Sequence, residues 1–564
     1  MNEANLCVSA KTEPWRGLRL VRESKVLEPS TILLTVLFCY PSLVTSALVL
    51  QNSATAFTAT RLAGAAVFNL AFSLTLICIL RLLKPALGAW LLRLLLVFFA
   101  IFTFGSVGHF LLFGQLLGLP SIYALMDTTP AESSEFASMM LKSGPVLAAL
   151  ALTLPLVLCL VRPPRLRPLP NKRRRLTVFL MTSLLVGLGW GGLIRPYIYM
   201  NNPMVLVAYT VPEAIHQKAV LQELYATIPA QSSVTKSFPA DKPMIHVLVI
   251  GESTTSRHMS LYGYRRNTNP RLNAIRSELE VALDACSSRG MTMPQLKEML
   301  TFATRDDARP LFTSPSLLQL MKAAEFKIFW LSNQQMVGSL DNWSAVFSKP
   351  ADVRIFTDRR GDFEGASHDE KLLPLLRNAL ADPARRKFIV LHLIGTHHGY
   401  DLRYPSEFAR FGDMGADEAA SPLNIGEFRT ARYNQYDNAV LYNDYIMSEI
   451  IELVKRAAGT SLTYLSDHGE ALGERGIVGH FDSVMPRQVY EIPLLFSLSE
   501  SKKSELRDRL EVFRRNLTKP FQTDSLIHTL LDLYGVGHEA WRPERSLFNA
   551  QYKSGQRFCD TLEP

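Results

Sequence analysis

LTYLSDHGE, residues 462–470, is the stretch on which the reading of the C-terminal part of the chain turns. Leu462–Leu465 reads as a short apolar strand, and it stops at Ser466-Asp467-His468-Gly469-Glu470, where ionisable groups crowd together. Strands buried on both faces belong to parallel sheets of α/β domains, whose functional groups collect at the carboxyl edge. Two further runs end the same way. HVLVI (246–250) runs into Gly251-Glu252-Ser253-Thr254, and FIVLHLI (388–394) into Gly395-Thr396-His397-His398. Further strands are expected at Ile245–Ile250, Phe326–Leu331, Phe388–Ile394 and Ile492–Phe496, with another over VALDAC (281–286). Helices are expected at Pro294–Ala303, Ser316–Ala324, Asp369–Ala381, Phe428–Arg456 and Ser525–Tyr534. Strands alternating with helices over residues 241–564 predict one α/β domain around a mainly parallel sheet.

Three apolar strands that each end in ionisable groups are hard to explain by packing, because an unpaired buried charge is costly. A single Glu at a strand end is more often a solvated cap, and a single His more often a satisfied polar residue. Together, Glu252, Asp467 and His468, with His397, and with His480 twelve residues after His468, have the donor chemistry of a zinc site. A nucleophile is expected in Ser287-Ser288-Arg289-Gly290-Met291-Thr292-Met293-Pro294, which enters a helix. Pro294 suits a first turn, and Thr292 or a neighbour is a candidate N-cap. Beside a divalent metal, such a hydroxyl would also be activated for attack.

The rest of the chain is membrane-like. Residues 1–195 carry 18 Lys+Arg against seven Asp+Glu, while residues 196–564 carry 42 against 44. All of the +9 net charge therefore lies beside apolar stretches, which excludes a nucleic-acid partner and points to a membrane. Five such stretches, 31–50, 64–83, 89–113, 145–161 and 176–194, approach the roughly 20 residues a spanning helix needs. Lys/Arg concentrate in 1–30, near Arg81 and Lys84, and in 162–175, so these face the cytoplasm and everything after Arg195 is exported. The expected organisation is a five-helix membrane domain (1–195), a bridge (196–240) and an exported domain (241–564). Carboxylates at Asp127, Glu132 and Glu135 in the 114–144 connection read first as a solvated loop, alternatively as a wall facing a cationic head group. Only Cys286 and Cys559 reach the exported half, and sequence leaves their pairing open.

GESTTSRHMSLYGYRRNTNPRL (251–272), FWLSNQQ (329–335), LHLIGTHHGYDLRYP (391–405), YNQYDNAVLYNDYI (433–446) and LSDHGE (465–470) together resemble the membrane phosphoethanolamine transferases of the alkaline phosphatase/sulfatase superfamily. The run 300–335 most resembles the branch that modifies lipopolysaccharide core heptose. The resemblance implies a periplasmic sulfatase-like domain and one or two zinc ions, with Glu252, Thr292, Asp467 and His468 as ligands. It implies Thr292 as nucleophile, with His397 and His480 at the phosphate or a second zinc. It also implies a phosphatidylethanolamine donor, a lipopolysaccharide acceptor (core heptose or lipid A) and a place in a bacterial inner membrane. The family's Cys-flanked, Thr-rich nucleophile segment is here ACSSRGMTMPQ, so Ser288 is the alternative to Thr292. Rival readings are a metal-dependent phosphodiesterase, a glycerol phosphate or periplasmic glucan transferase, and an inactive membrane scaffold or sensor. A sulfatase is disfavoured because the Cys-x-Pro-x-Arg pattern is missing, and a transporter because the spans hold few ionisable residues beyond Arg93 and His109.

Overall fold

The computed structural model describes residues 28–52, 56–113, 117, 144–167, 180, 202–212, 215, 233–239, 241–334, 346–357, 368–412, 426–457, 459–474, 477–480 and 485–562. They fall into two units, an N-terminal one through Pro212 and a C-terminal one beyond it.

The N-terminal unit contains helices α1 (Pro29–Asn52), α2 (Ala56–Leu82), α3 (Pro85–Phe113) and α4 (Gly144–Val161). α1 to α3 are long and apolar enough to cross a membrane; α4 is apolar but shorter. The expected stretch 176–194 and the acidic part of 114–144 lie outside the described residues, apart from position 180. The bridge 196–240 is described only in part. Its residues 203–212 form a short apolar helix. Asn202 accepts the N–H groups of Met204 and Val205 at its start, and its amide donates to Asn69 on α2 at 2.9 Å. Asn69 in turn donates to Ser42 on α1. In an apolar bundle, buried amides with partners act as specific glue worth about 1 kcal/mol each.

The C-terminal unit is built on a seven-stranded sheet. Its strands are β1 (Met244–Gly251), β2 (Leu279–Val281), β3 (Lys327–Ser332), β4 (Val353–Phe356), β5 (Arg386–His392), β6 (Thr460–Ser466) and β7 (Leu494–Leu498), in the order β2-β7-β6-β1-β5-β3-β4. β7 alone runs against its neighbours; the pairs β6-β1, β1-β5, β5-β3 and β3-β4 are parallel. Both faces are covered, which is why these strands read as unbroken apolar runs. Leu248, Ile250, Trp330, Phe388 and Val390 pack on one face with α5 (Thr292–Met299), α6 (Leu317–Ala323) and α9 (Leu526–Tyr534). Val247, Val249, Phe329, Ile389 and Leu391 pack on the other with α7 (Leu372–Ala381) and α8 (Gly426–Lys455).

Two expected strands divide. VALDAC becomes the end of β2 plus Ala285–Cys286, and 492–496 divides around Pro493 into Glu491–Ile492 and β7. These segments are partners: β7 pairs with β2, and Glu491–Ile492 with Ala285–Cys286 in a separate small sheet. Proline has no N–H to give a ladder, so the pairing breaks there and the chain changes sheets. β4 was not anticipated, because a four-residue edge strand with Arg354 exposed carries almost no pattern. A disulfide joins Cys286 to Cys559, closing a loop of 273 residues. By loop-closure entropy such a cross-link is worth up to about 5 kcal/mol, and it fixes the strand that leads to Thr292.

Candidate active site

Register decides what meets at the carboxyl edge. Gly251 of β1 pairs with Ser466 of β6, and Ile250 pairs with His392 of β5, so the residues that follow leave the sheet side by side. Glu252 and the Asp467–His468 pair thus emerge from adjacent strands, tied by the Asp467 N–H donating to the Gly251 carbonyl at 3.0 Å. The turn after β1 is tight. Ser253 has φ +57°, and its hydroxyl donates to Glu252 Oε1 at 2.8 Å. Gly395 packs beneath it with φ +52°, and a Cβ there would lie 2.7 Å from the Glu252 carbonyl oxygen. Only glycine fits both the left-handed conformation and that approach.

The expected helix at Pro294–Ala303 is α5, starting two residues earlier and ending four earlier. Pro294 is then the third helical residue, a position whose N–H has no intrahelical partner in any case. The N-cap is Met291, with no side-chain cap bond, so Thr292 is not a capping residue. Its hydroxyl points into the cluster, donating to Glu252 Oε2 at 3.0 Å and lying 3.2 Å from His468 Nε2. The alternative, Ser288, is fully buried elsewhere, with its hydroxyl between Gln295 Oε1 and Thr523 Oγ1.

The cluster is dry. Glu252, Asp467 and His468 are each at most 1% exposed. His468 Nε2 is 3.2 Å from Glu252 Oε1 and 3.5 Å from Asp467 Oδ2, while its Nδ1 lies 2.8 Å from the Gly469 carbonyl. That carbonyl holds the proton on Nδ1, so Nε2 is the nitrogen that would face a metal once its own proton is displaced. Asp467 Oδ1 accepts from the N–H groups of Ser253 and His468, whereas Oδ2 accepts no hydrogen bond. Burial pushes Asp467 up, reinforced by the Glu252 charge, to about 8. Burial opposes the imidazolium of His468, but Asp467 and Glu252 outweigh it and raise His468 to about 10. Burial also opposes ionised Glu252, yet His468 beside it holds the carboxyl well below its ordinary range. Two ionised carboxylates would outnumber the one imidazolium, and uncompensated buried charge costs several kcal/mol, so in the metal-free cluster Asp467 keeps its proton. A divalent cation cancels two carboxylates, and an oxygen, oxygen, nitrogen donor set with one orphaned buried oxygen fits zinc.

His480 completes the group. Ligand atoms of Glu252, His468 and His480 all lie within 4.8 Å of one another, and the rings of His468 and His480 are 4.1 Å apart. Burial and the neighbouring His468 lower His480, against the pull of Glu470. His397 is half-buried at the rim, its ring 6.4 Å from that of His480, with Nδ1 unpartnered. Glu470 is a residue whose role the sequence pattern does not reveal. Fully buried, it accepts from His480 Nδ1 at 2.6 Å and from the Tyr400 hydroxyl at 2.8 Å, and so aims the His480 ring. Gln334, just past β3, was also missed; its amide lies 3.3 Å from Glu252 Oε2 and donates to the Leu393 carbonyl at 2.9 Å.

This geometry has relatives. The sulfatase family profile matches residues 245–536. Phosphoethanolamine transferase EptC of Escherichia coli K12 is 32% identical over 484 residues, covering 81% of this chain and 82% of its own. Phosphoethanolamine transferase CptA of Salmonella typhimurium is 32% identical over 486 residues, with 81% and 82% covered. The C-terminal periplasmic domain of E. coli EptC, solved in complex with Zn, superposes with TM-score 0.55 at 33% identity over 60% of this chain and 98% of that one. The integral membrane protein lipooligosaccharide phosphoethanolamine transferase A of Neisseria meningitidis is similar in fold, with TM-score 0.67 at 20% identity over 92% of this chain and 98% of that one. With its sulfatase domain and relatives alike over four fifths of their length, this chain belongs to the phosphoethanolamine transferase family and is a phosphotransferase.

Proposed function

We propose that the protein transfers phosphoethanolamine from phosphatidylethanolamine to a lipopolysaccharide acceptor, core heptose or lipid A, through a covalent intermediate on Thr292. The single observation that carries this reading is the Thr292 hydroxyl, which is released from capping and set between Glu252 and His468. Zinc would be held by Glu252, Asp467, His468 and the Thr292 oxygen; when bound, it supplies Lewis acidity that favours an anionic oxygen. Thr292 Oγ1 attacks phosphorus, its proton leaving along the hydrogen bond it already makes to Glu252. The bond from phosphorus to the diacylglycerol oxygen breaks, and His480 or His397 protonates that oxygen. An acceptor hydroxyl then attacks the phosphoethanolamine-threonine, its proton passing to the histidine that protonated diacylglycerol; the bond from phosphorus to Thr292 Oγ1 breaks, and that oxygen takes back the proton passed to Glu252. The free N–H groups at the start of α5 favour the anionic phosphoryl group.

In the same reading, residues 1–195 form five spans with their basic connections in the cytoplasm, 196–240 bridge, and 241–564 lie in the periplasm at the bacterial inner membrane. Donor and acceptor are both lipids, so tethering confines the encounter to a plane. Mass spectrometry of lipopolysaccharide from cells with and without the protein tests this. A phosphoethanolamine gain on the core supports the heptose acceptor and a gain on lipid A moves the acceptor; identical lipopolysaccharide overturns the proposal. Glu470→Gln is expected to lower kcat about 10–100-fold with little change in KM, because His480 loses its aim but substrate contacts remain. Unchanged kcat would remove Glu470 from the mechanism.

A further inference from the structure

Asp369 lies outside the cluster, at the entry to α7, and touches none of the groups described above as reacting or metal-binding. It is nonetheless buried (3% exposed). Its charge is met first by neutral hydrogen-bond donors, and the Arg403 guanidinium adds to them. Oδ1 accepts from the Ile394 N–H and from the Asn333 side-chain amide, each at 2.9 Å, and Oδ2 accepts from the Gly395 N–H at 2.9 Å. These donors belong to the loops that follow β3 and β5. Burial raises the cost of keeping this carboxylate, so its retention calls for a gain elsewhere.

That gain is visible one step away. Gly395 is the residue whose Cα lies against the backbone of Glu252, and Thr396 donates to the Glu252 carbonyl through both its N–H (3.0 Å) and its hydroxyl (3.2 Å). On the other flank, Asn333 precedes Gln334, whose amide lies 3.3 Å from Glu252 Oε2. One carboxylate therefore ties down both segments that touch Glu252, one beneath its backbone and one beside its carboxyl group.

We propose that Asp369 is a positioning residue for Glu252, setting the place of that carboxylate through Gly395–Thr396 and Asn333–Gln334; this rests on the reading of Glu252 as a metal ligand. Asp369→Asn keeps the shape but turns a donor toward one of three donors. Asn333 and Ile394 can still be accepted, whereas the Gly395 N–H then faces an N–H. Outer-shell losses of this kind cost about 10–100-fold in metal affinity.

The test is zinc affinity of the full chain in nanodiscs, measured by competition with a chromophoric chelator well below each variant's Tm. Wild type, Asp369→Asn, the milder Thr396→Val and the control Asp444→Asn are compared. Asp444 likewise accepts two backbone N–H groups, those of Arg271 and Leu272, but its recorded partners lie away from the site. The expected result is zinc binding weakened at least tenfold in Asp369→Asn and about threefold in Thr396→Val. Asp444→Asn should lower Tm without changing zinc affinity. Asp369→Asn and Thr396→Val proteins that bind zinc as wild type does, whatever their Tm, overturn the positioning role alone. A wild-type protein that binds no zinc overturns the metal reading itself. Should Asp369→Asn fail to fold, Thr396→Val decides.

Discussion

Thr292→Ala is expected to cut phosphoethanolamine transfer on the order of 10,000-fold or more, the scale seen when a covalent nucleophile is removed. The protein should remain folded. Thr292 is the first residue of α5 but not its N-cap, and its hydroxyl makes no bond to the helix backbone among the recorded contacts, so the ordinary cap penalty of about 1 kcal/mol does not apply. Zinc should still bind, since Glu252, Asp467 and His468 remain. Thr292→Ser keeps the oxygen and should retain a measurable fraction of activity. Intact-mass analysis of wild type supplied with phosphatidylethanolamine but no acceptor should show a phosphoethanolamine adduct that Thr292→Ala lacks. An adduct persisting in Thr292→Ala would move the nucleophile elsewhere. Ser288 is a poor heir, because its hydroxyl is enclosed by Gln295 and Thr523.

The ingredients of this site were legible in the sequence because parallel sheets expose their carboxyl edge. Glu252, His397 and the Asp467–His468 pair each follow a buried apolar run, and pairing Gly251 with Ser466 brings Glu252 level with Asp467. What escaped the sequence depends on closures that leave no periodic mark. Glu470 faces His480 because the short strands Ala471–Leu472 and Val478–Gly479 pair antiparallel and fold the chain back. Asp369 looked like the ordinary acidic start of a helix; its partners are backbone N–H groups of loops that only the folded sheet brings near. The start of α5 was misplaced because proline was taken to mark the first helical residue. Any of the first positions lacks an intrahelical N–H partner, and here proline takes the third. That shift of two residues changes Thr292 from a cap into a free hydroxyl beside the acid–imidazole cluster.

Zinc affinity should climb with pH, and chelation should abolish transfer until zinc is restored. In the metal-free protein Asp467 is raised to about 8 and His468 to about 10, so at pH 7 both hold protons that a metal must displace. Below pH 8 two protons are released on binding, and the apparent association constant should rise by up to about two log units per pH unit. Between pH 8 and 10 only His468 still releases a proton, and the slope should fall to about one. The stability of the metal-free protein runs the opposite way. A group raised on folding stabilises most below its unfolded value and loses that contribution as pH rises to the folded one. For Asp467 this window runs from about 4 to 8, and for His468 from about 6.5 to 10. Glu252 is lowered, so its contribution is lost only as pH falls below its ordinary range of about 4.5. From pH 6 to 8 the metal-free protein should therefore weaken while the zinc-loaded protein, with its carboxylates already ionised, should not. Melting curves of the full chain with zinc and with chelator at pH 6, 7 and 8 should show a widening gap in Tm. A gap that stays constant or narrows would mean that Asp467 and His468 are not the groups whose protons the metal replaces.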